Sequence, residues 1–174
     1  KYNGLKLVKA LKAAHPDKKI LVDLKTMDAG EYEATPFLEA GGDIATVLGA
    51  ADTATIKGVI KAANANNAEA QVDLIGVEDK VAVAKESAAN GAHIIGVHTG
   101  LDAQAAGQTP FEDLKTITGL GLNVKVSVAG GINKDTIQSC VKAGAAIVVV
   151  GAAIYGAPSP AESAKELRAL VDAA

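Results

Sequence analysis

Six short apolar runs recur along the chain, separated by stretches whose apolar residues fall at helical spacing. The runs are KILVDL (19–24), DIATVL (43–48), AQVDLI (70–75), HIIGVH (93–98), VKVSVA (124–129) and AIVVVG (146–151). Each is rich in Val and Ile and nearly continuous in apolar character, the pattern of a parallel strand covered on both faces. The intervening stretches predict helices near 4–14, 31–41, 53–66, 78–90, 110–119, 134–143 and 160–172. Val81, Val83, Ala84 and Ala88 illustrate their apolar spacing. Gly41, Gly91 and Gly144 stand near helix ends, where a left-handed residue can close a helix.

Six βα units in series predict an α/β domain with a parallel sheet. An open doubly wound sheet calls for a nucleotide fingerprint after its first strand, and DLKTMDAG is not one. A TIM-type (β/α)8 barrel places its chemistry at the C-terminal ends of its strands. Asp23, Lys25, Asp73, His98 and the later glycine pairs gather at such ends, so the barrel fits better. Six strands do not close a barrel of eight, and the chain begins on a helix. Either the barrel is incomplete in this chain or its first strands precede Lys1, and residues 1–174 read as a single domain without a linker.

Composition narrows the function classes. With 174 residues, the chain can bury a sizeable core. Its net charge of −3 is evenly mixed and its aromatics are few, which disfavours nucleic-acid binding. No apolar run is long enough to span a membrane, and the N-terminal stretch lacks the features of a secretory signal. The single cysteine, Cys140, excludes an internal disulfide or a cysteine-based metal cluster, and a reducing cytoplasm is the expectation.

The candidate chemistry begins in ILVDLKTMDAG (20–30). Residues two apart in a strand share a face, so Asp23 and Lys25 are expected to lie side by side, with Leu24 opposite. Such a pair could hold a metal through Asp23 and neutralise an oxyanion through Lys25, or be only a structural ion pair. Asp28, on the following loop, could reach the same lysine. His98 ends an apolar strand before a glycine-containing loop, and histidine suits proton transfer near neutral pH. His15 and His93 are assigned no role. Asp73 reads as a lone carboxylate at the same rim, and Glu78 and Asp79 as the start of a helix. SVAGGIN and VVVGAAIYG each run from a strand into glycine and then a helix. In tandem they suggest a phosphate site gripped mostly by backbone N–H groups.

These motifs together resemble the 3-hexulose-6-phosphate synthase family. DLKTMDAGEYEA, IATVLGAAD, VDLIGVEDK, GVHTGLDAQAAG, SVAGGIN and VVVGAAIYGAPSPAESAKELR carry the resemblance over nearly the whole chain. That family belongs to the orotidine-monophosphate-decarboxylase-like barrels with a D-x-K-x-x-D signature. The resemblance implies a lyase: an aldolase joining formaldehyde to D-ribulose 5-phosphate through a metal-stabilised enediolate, reversibly, to give D-arabino-3-hexulose 6-phosphate. It implies Mg2+ (or Mn2+) against Asp23, enediolate stabilisation by Lys25 and proton transfer by His98. Gly130, Gly131, Gly151 and Ala152 would hold the phosphate. Asp28, with Asp73, would belong to a site shared across a homodimer.

The rival within the superfamily is 3-keto-L-gulonate-6-phosphate decarboxylase. That family has Arg where this chain has Leu101 and Ala152, and Glu where it has Asp73, so the departures favour the aldolase. Relatives also begin with two strands carrying an Asp and a metal-binding Glu, and a segment of that kind is expected before Lys1. A chain that truly began at Lys1 would instead suggest a non-catalytic sugar-phosphate binder.

Overall fold

The strand and helix sequence follows directly from the apolar pattern. The computed structural model describes residues 4–174. The strands are β1 (Leu21–Thr26), β2 (Ile44–Leu48), β3 (Glu69–Asp73), β4 (Ile94–His98), β5 (Lys125–Ala129) and β6 (Ile147–Val149). The helices are α1 (Gly4–Ala14), α2 (Gly30–Glu39), α3 (Thr53–Ala65), α4 (Lys80–Ala89), α5 (Leu101–Ala105), α6 (Phe111–Gly119), α7 (Ile137–Lys142), α8 (Ala152–Tyr155) and α9 (Pro160–Asp172). Two of these, α5 and α8, were not anticipated, being too short to show an apolar period. The alternation, with parallel pairing of β1 to β2, β2 to β3 and β5 to β6, makes an α/β fold consistent with a TIM-type barrel. The chain forms two compact units, divided between Ile95 and Gly96 within β4.

In the first unit, β2 and β3 run in unbroken register from Ile44 opposite Glu69 to Leu48 opposite Asp73. Ala45, Val47, Ala70 and Val72 are fully buried, as expected of strands covered on both faces. β1 departs from that expectation. Its Leu24 and Thr26 are buried, whereas Leu21 and Asp23 are exposed. Its register against β2 also slips between Val22 and Thr26, where four steps along β1 match two along β2. Helix α3 turns Ile56, Val59, Ile60 and Ala63 inward at helical spacing. It meets α2 closely enough that a Cβ on Gly30 would lie 2.1 Å from the Thr55 carbonyl oxygen. A Cβ on Gly58 would lie 2.8 Å from the Glu31 nitrogen.

Helix exits repeat one device. The Gly41 N–H donates to Leu38 O and the Gly42 N–H to Phe37 O, the paired bonds of a Schellman turn. The same pairs close α4 through Gly91 and Ala92, and α7 through Gly144 and Ala145. Asn67, at φ 52°, fills the left-handed position after α3. These are the helix stops that the glycines signal in the sequence.

In the second unit, Ser127 to Ala129 of β5 lie beside Ile147 to Val149 of β6. The latter strand is shorter than its apolar run suggests, and Val149 is 41% exposed. Leu114, Ile117, Val128, Ile137 and Cys140 form the buried interior.

Candidate active site

The slipped segment of β1 builds the first part of the site. Lys25 takes a left-handed backbone, φ 47°, an uncommon conformation for a side-chain-bearing residue that clusters at functional positions. Its side chain folds back so that Nζ lies 2.5 Å from Asp23 Oδ2. Asp73, the last residue of β3 and 3% exposed, brings Oδ2 to 3.5 Å from the same ammonium. Lys25 thus sits between two carboxylates. The expected neighbours do meet, but through a bulge and not through plain strand alternation. Asp73 is not the lone carboxylate that the sequence suggested, since it faces Lys25 and accepts the Ile75 N–H at 2.9 Å through Oδ1.

Thr46, which sequence reasoning missed, binds both ends of the bulge. Its hydroxyl donates to Asp23 Oδ1 at 2.8 Å and accepts the Lys25 backbone N–H at 2.9 Å. A lone hydroxyl in the middle of IATVL was the available signal. Burial pushes the Lys25 ammonium toward deprotonation, but the Asp23 hydrogen bond and the charges of Asp23 and Asp73 outweigh it. The net result holds its pKa above the ordinary lysine value.

Asp28 stands apart from this cluster. It is exposed, its Oδ1 accepts the Ala29 N–H at 2.7 Å, and it forms no ion pair with Lys25. The left-handed Ala29 that caps α2 turns the chain away at that point. Asp28 instead lines an open cavity of 540 Å³ with Gly30, Tyr32, Thr55 and Gly58.

The other expected residues belong to the second unit. His98 ends β4, half-buried, just before Thr99. The Thr99 N–H donates to Ala129 O, and the Gln104 side chain of α5 donates to Thr99 O at 2.7 Å. The AGG turn after β5 packs on this loop. A Cβ on Gly130, at φ 115°, would fall 2.4 Å from Thr99 O, so close backbone approach demands glycine there. Gly131, Gly151 and Ala152 are exposed. The expectation that both glycine loops open onto helices holds only for Gly151, which caps the four-residue α8. Gly130 and Gly131 are separated from α7 by an Asn133–Thr136 turn, in which the Ile137 N–H donates to Asn133 O. Asp79 caps α4 as anticipated, accepting the Ala82 N–H at 2.9 Å.

Comparison with known proteins identifies the family of the chain. The model of the orotidine 5'-phosphate decarboxylase / HUMPS family matches residues 1–167. The chain belongs to this family. Within it, a 3-hexulose-6-phosphate synthase from Methylomonas aminofaciens is 63% identical over 98% of this chain and 81% of its own length. A crystal structure of 3-hexulose-6-phosphate synthase, 50% identical, covers 96% of this chain and 80% of its own, with a TM-score of 0.89. A 3-keto-L-gulonate-6-phosphate decarboxylase from Vibrio cholerae is more distant, at 29% identity and a TM-score of 0.83 over 97% of this chain and 79% of its own. The relatives thus include both a synthase and a decarboxylase by name. No helix of the described residues is long and apolar enough to cross a membrane.

For a divalent cation, Asp23 is the accessible oxygen donor. Its side chain is 53% exposed, and each carboxylate oxygen retains a lone pair beyond its bond to Thr46 or Lys25. The described residues hold no group of three His, Cys, Asp or Glu side chains arranged for a metal. That donor set fits Mg2+, which is commonly held by one or two carboxylates, water and substrate oxygens.

Proposed function

We propose that the chain is an aldolase that condenses formaldehyde with D-ribulose 5-phosphate to give D-arabino-3-hexulose 6-phosphate, reversibly. The observation that carries this reading is the Asp23–Lys25–Asp73 cluster, in a chain 63% identical to a 3-hexulose-6-phosphate synthase. An amine that attacks a carbonyl to form a Schiff base must be available uncharged. Lys25 is tuned the other way, toward a permanent cation, by two carboxylates. A fixed ammonium suits an enediolate, whose oxygen carries more negative charge than the ketose oxygen it derives from.

In the proposed mechanism the phosphate anchors the sugar through the backbone N–H groups around Gly130, Gly131, Gly151 and Ala152. Remote binding then orients the reacting carbons. A proton leaves the carbon next to the ketose carbonyl, and His98 is assigned to proton transfer. Lys25 holds the resulting enediolate oxygen, while Asp23 and Asp73 hold Lys25. The enediolate carbon bonds to formaldehyde, whose carbonyl oxygen takes up a proton as its C=O π bond breaks. Mg2+ on Asp23 would supply further stabilisation of the same oxyanion. A cytoplasmic homodimer, with the exposed Asp28 offered to the partner's site, completes the reading.

The test is formaldehyde loss measured with and without ribulose 5-phosphate and Mg2+. Release of CO2 from 3-keto-L-gulonate 6-phosphate, without formaldehyde consumption, would move the assignment to the decarboxylase.

A further inference from the structure

The bulge in β1 leaves a problem that Thr46 solves. In a regular ladder the N–H of a strand residue points to a backbone carbonyl of its neighbour. The register slip between Val22 and Thr26 puts Lys25 out of step with β2, and its left-handed backbone turns the N–H away from the ladder. That N–H is received by a side chain, the Thr46 hydroxyl, at 2.9 Å. The same hydroxyl passes its own proton to Asp23 Oδ1 at 2.8 Å. Asp23 Oδ2 is thereby directed at Lys25 Nζ. A closed ring results, running from the Lys25 backbone through Thr46 and Asp23 to the Lys25 side chain. Thr46 is 1% exposed in the middle of β2, and its β-branch restricts its side-chain rotation there. The hydroxyl therefore cannot turn to solvent.

We propose that Thr46 is a positioning residue, whose hydroxyl fixes the Asp23 carboxylate and the bulged Lys25 backbone so that the ammonium is aimed at the reacting oxygen. Its effect on catalysis rests on the aldolase reading, whereas its effect on Lys25 does not. Thr46 touches no substrate in this role, so it should act on turnover and leave substrate affinity intact. Valine keeps the shape and β-branch but removes both hydrogen bonds. Serine keeps both.

The experiment compares wild type, Thr46→Val, Thr46→Ala and Thr46→Ser in the full chain, with two readouts. The first is kcat and KM for ribulose 5-phosphate. The second is the Lys25 backbone amide signal by NMR, its chemical shift and its exchange with solvent. In T46V and T46A the expected result is kcat lower by roughly 10–100-fold with KM within about threefold of wild type. The Lys25 amide should shift and exchange faster, because its acceptor is gone. T46S should restore most of kcat and the wild-type amide signal. Should T46V not fold, T46A carries the same two readings. Wild-type kcat in T46V or T46A, or lowered kcat with an unmoved Lys25 amide, would overturn the proposal. If wild-type protein consumes no formaldehyde, the aldolase reading fails, and the Lys25 amide alone decides whether Thr46 holds the bulge.

Discussion

Lys25, at the bulge of β1, holds a left-handed backbone, carboxylate neighbours from β1 and β3, and a β2 hydroxyl on its N–H. Because its folded pKa is raised, the stability it contributes is fully present below the ordinary lysine value of 10.5 and is lost as pH rises through the folded value. An alkaline stability profile should therefore fall less steeply in Lys25→Met than in wild type above that pH, as followed by urea denaturation. Asp43 shows the opposite sign. Burial raises its carboxyl, but the Ile20 N–H at 2.7 Å and the Lys12 ammonium at 2.9 Å outweigh that and hold it below 3.8. Its contribution is present above 3.8 and lost as pH falls through the folded value. Asp43→Asn should cost stability at neutral pH, and the gap to wild type should close under acid. At this scale the sequence revealed the identities of Asp23, Lys25 and Asp73 but not their geometry. A strand period cannot announce a bulge, and the hydroxyl that organises it sits 21 residues away in another strand.

Element ends were the most legible feature, because Gly and Asn after a helical run have few other uses. Gly41, Gly91 and Gly144 close their helices as the sequence implies, since a left-handed residue costs glycine little. Close approach between elements was not legible. Gly30 and Gly58 lie inside or at the start of helices, where composition alone marks them as weak helix formers. Their reason is the contact between α2 and α3. Gly30→Ala should destabilise the protein by about 1–3 kcal/mol in denaturant titration, as overpacking does. Gly130 carries a similar constraint with a functional reading. A methyl there would press on Thr99 O at 2.4 Å, so Gly130→Ala must shift the turn. KM for ribulose 5-phosphate should rise by about tenfold, roughly 1.4 kcal/mol of binding. The sequence offered Gly130 as part of a phosphate site but could not show that packing within the chain also requires a glycine there.

For the whole molecule, six βα units were readable from apolar runs, and the parallel α/β fold follows from them. The runs misjudged β1 and β6, because an apolar residue in a strand does not say whether a neighbour covers it. Leu21 and Val149 are exposed at 36% and 41%. Chemistry was legible only where several motifs stood in order, and D-x-K-x-x-D alone would not separate an ion pair from an enediolate centre. The central claim is that a fixed Lys25 cation drives formaldehyde addition to a sugar phosphate. The direct measurement is formaldehyde consumption with ribulose 5-phosphate and Mg2+, in wild type and in Lys25→Ala of matched folding by circular dichroism. The expected result is consumption that requires the sugar phosphate in wild type and none above background in K25A. Undiminished turnover in K25A, or no sugar-phosphate-dependent consumption in active-folded wild type, would contradict it.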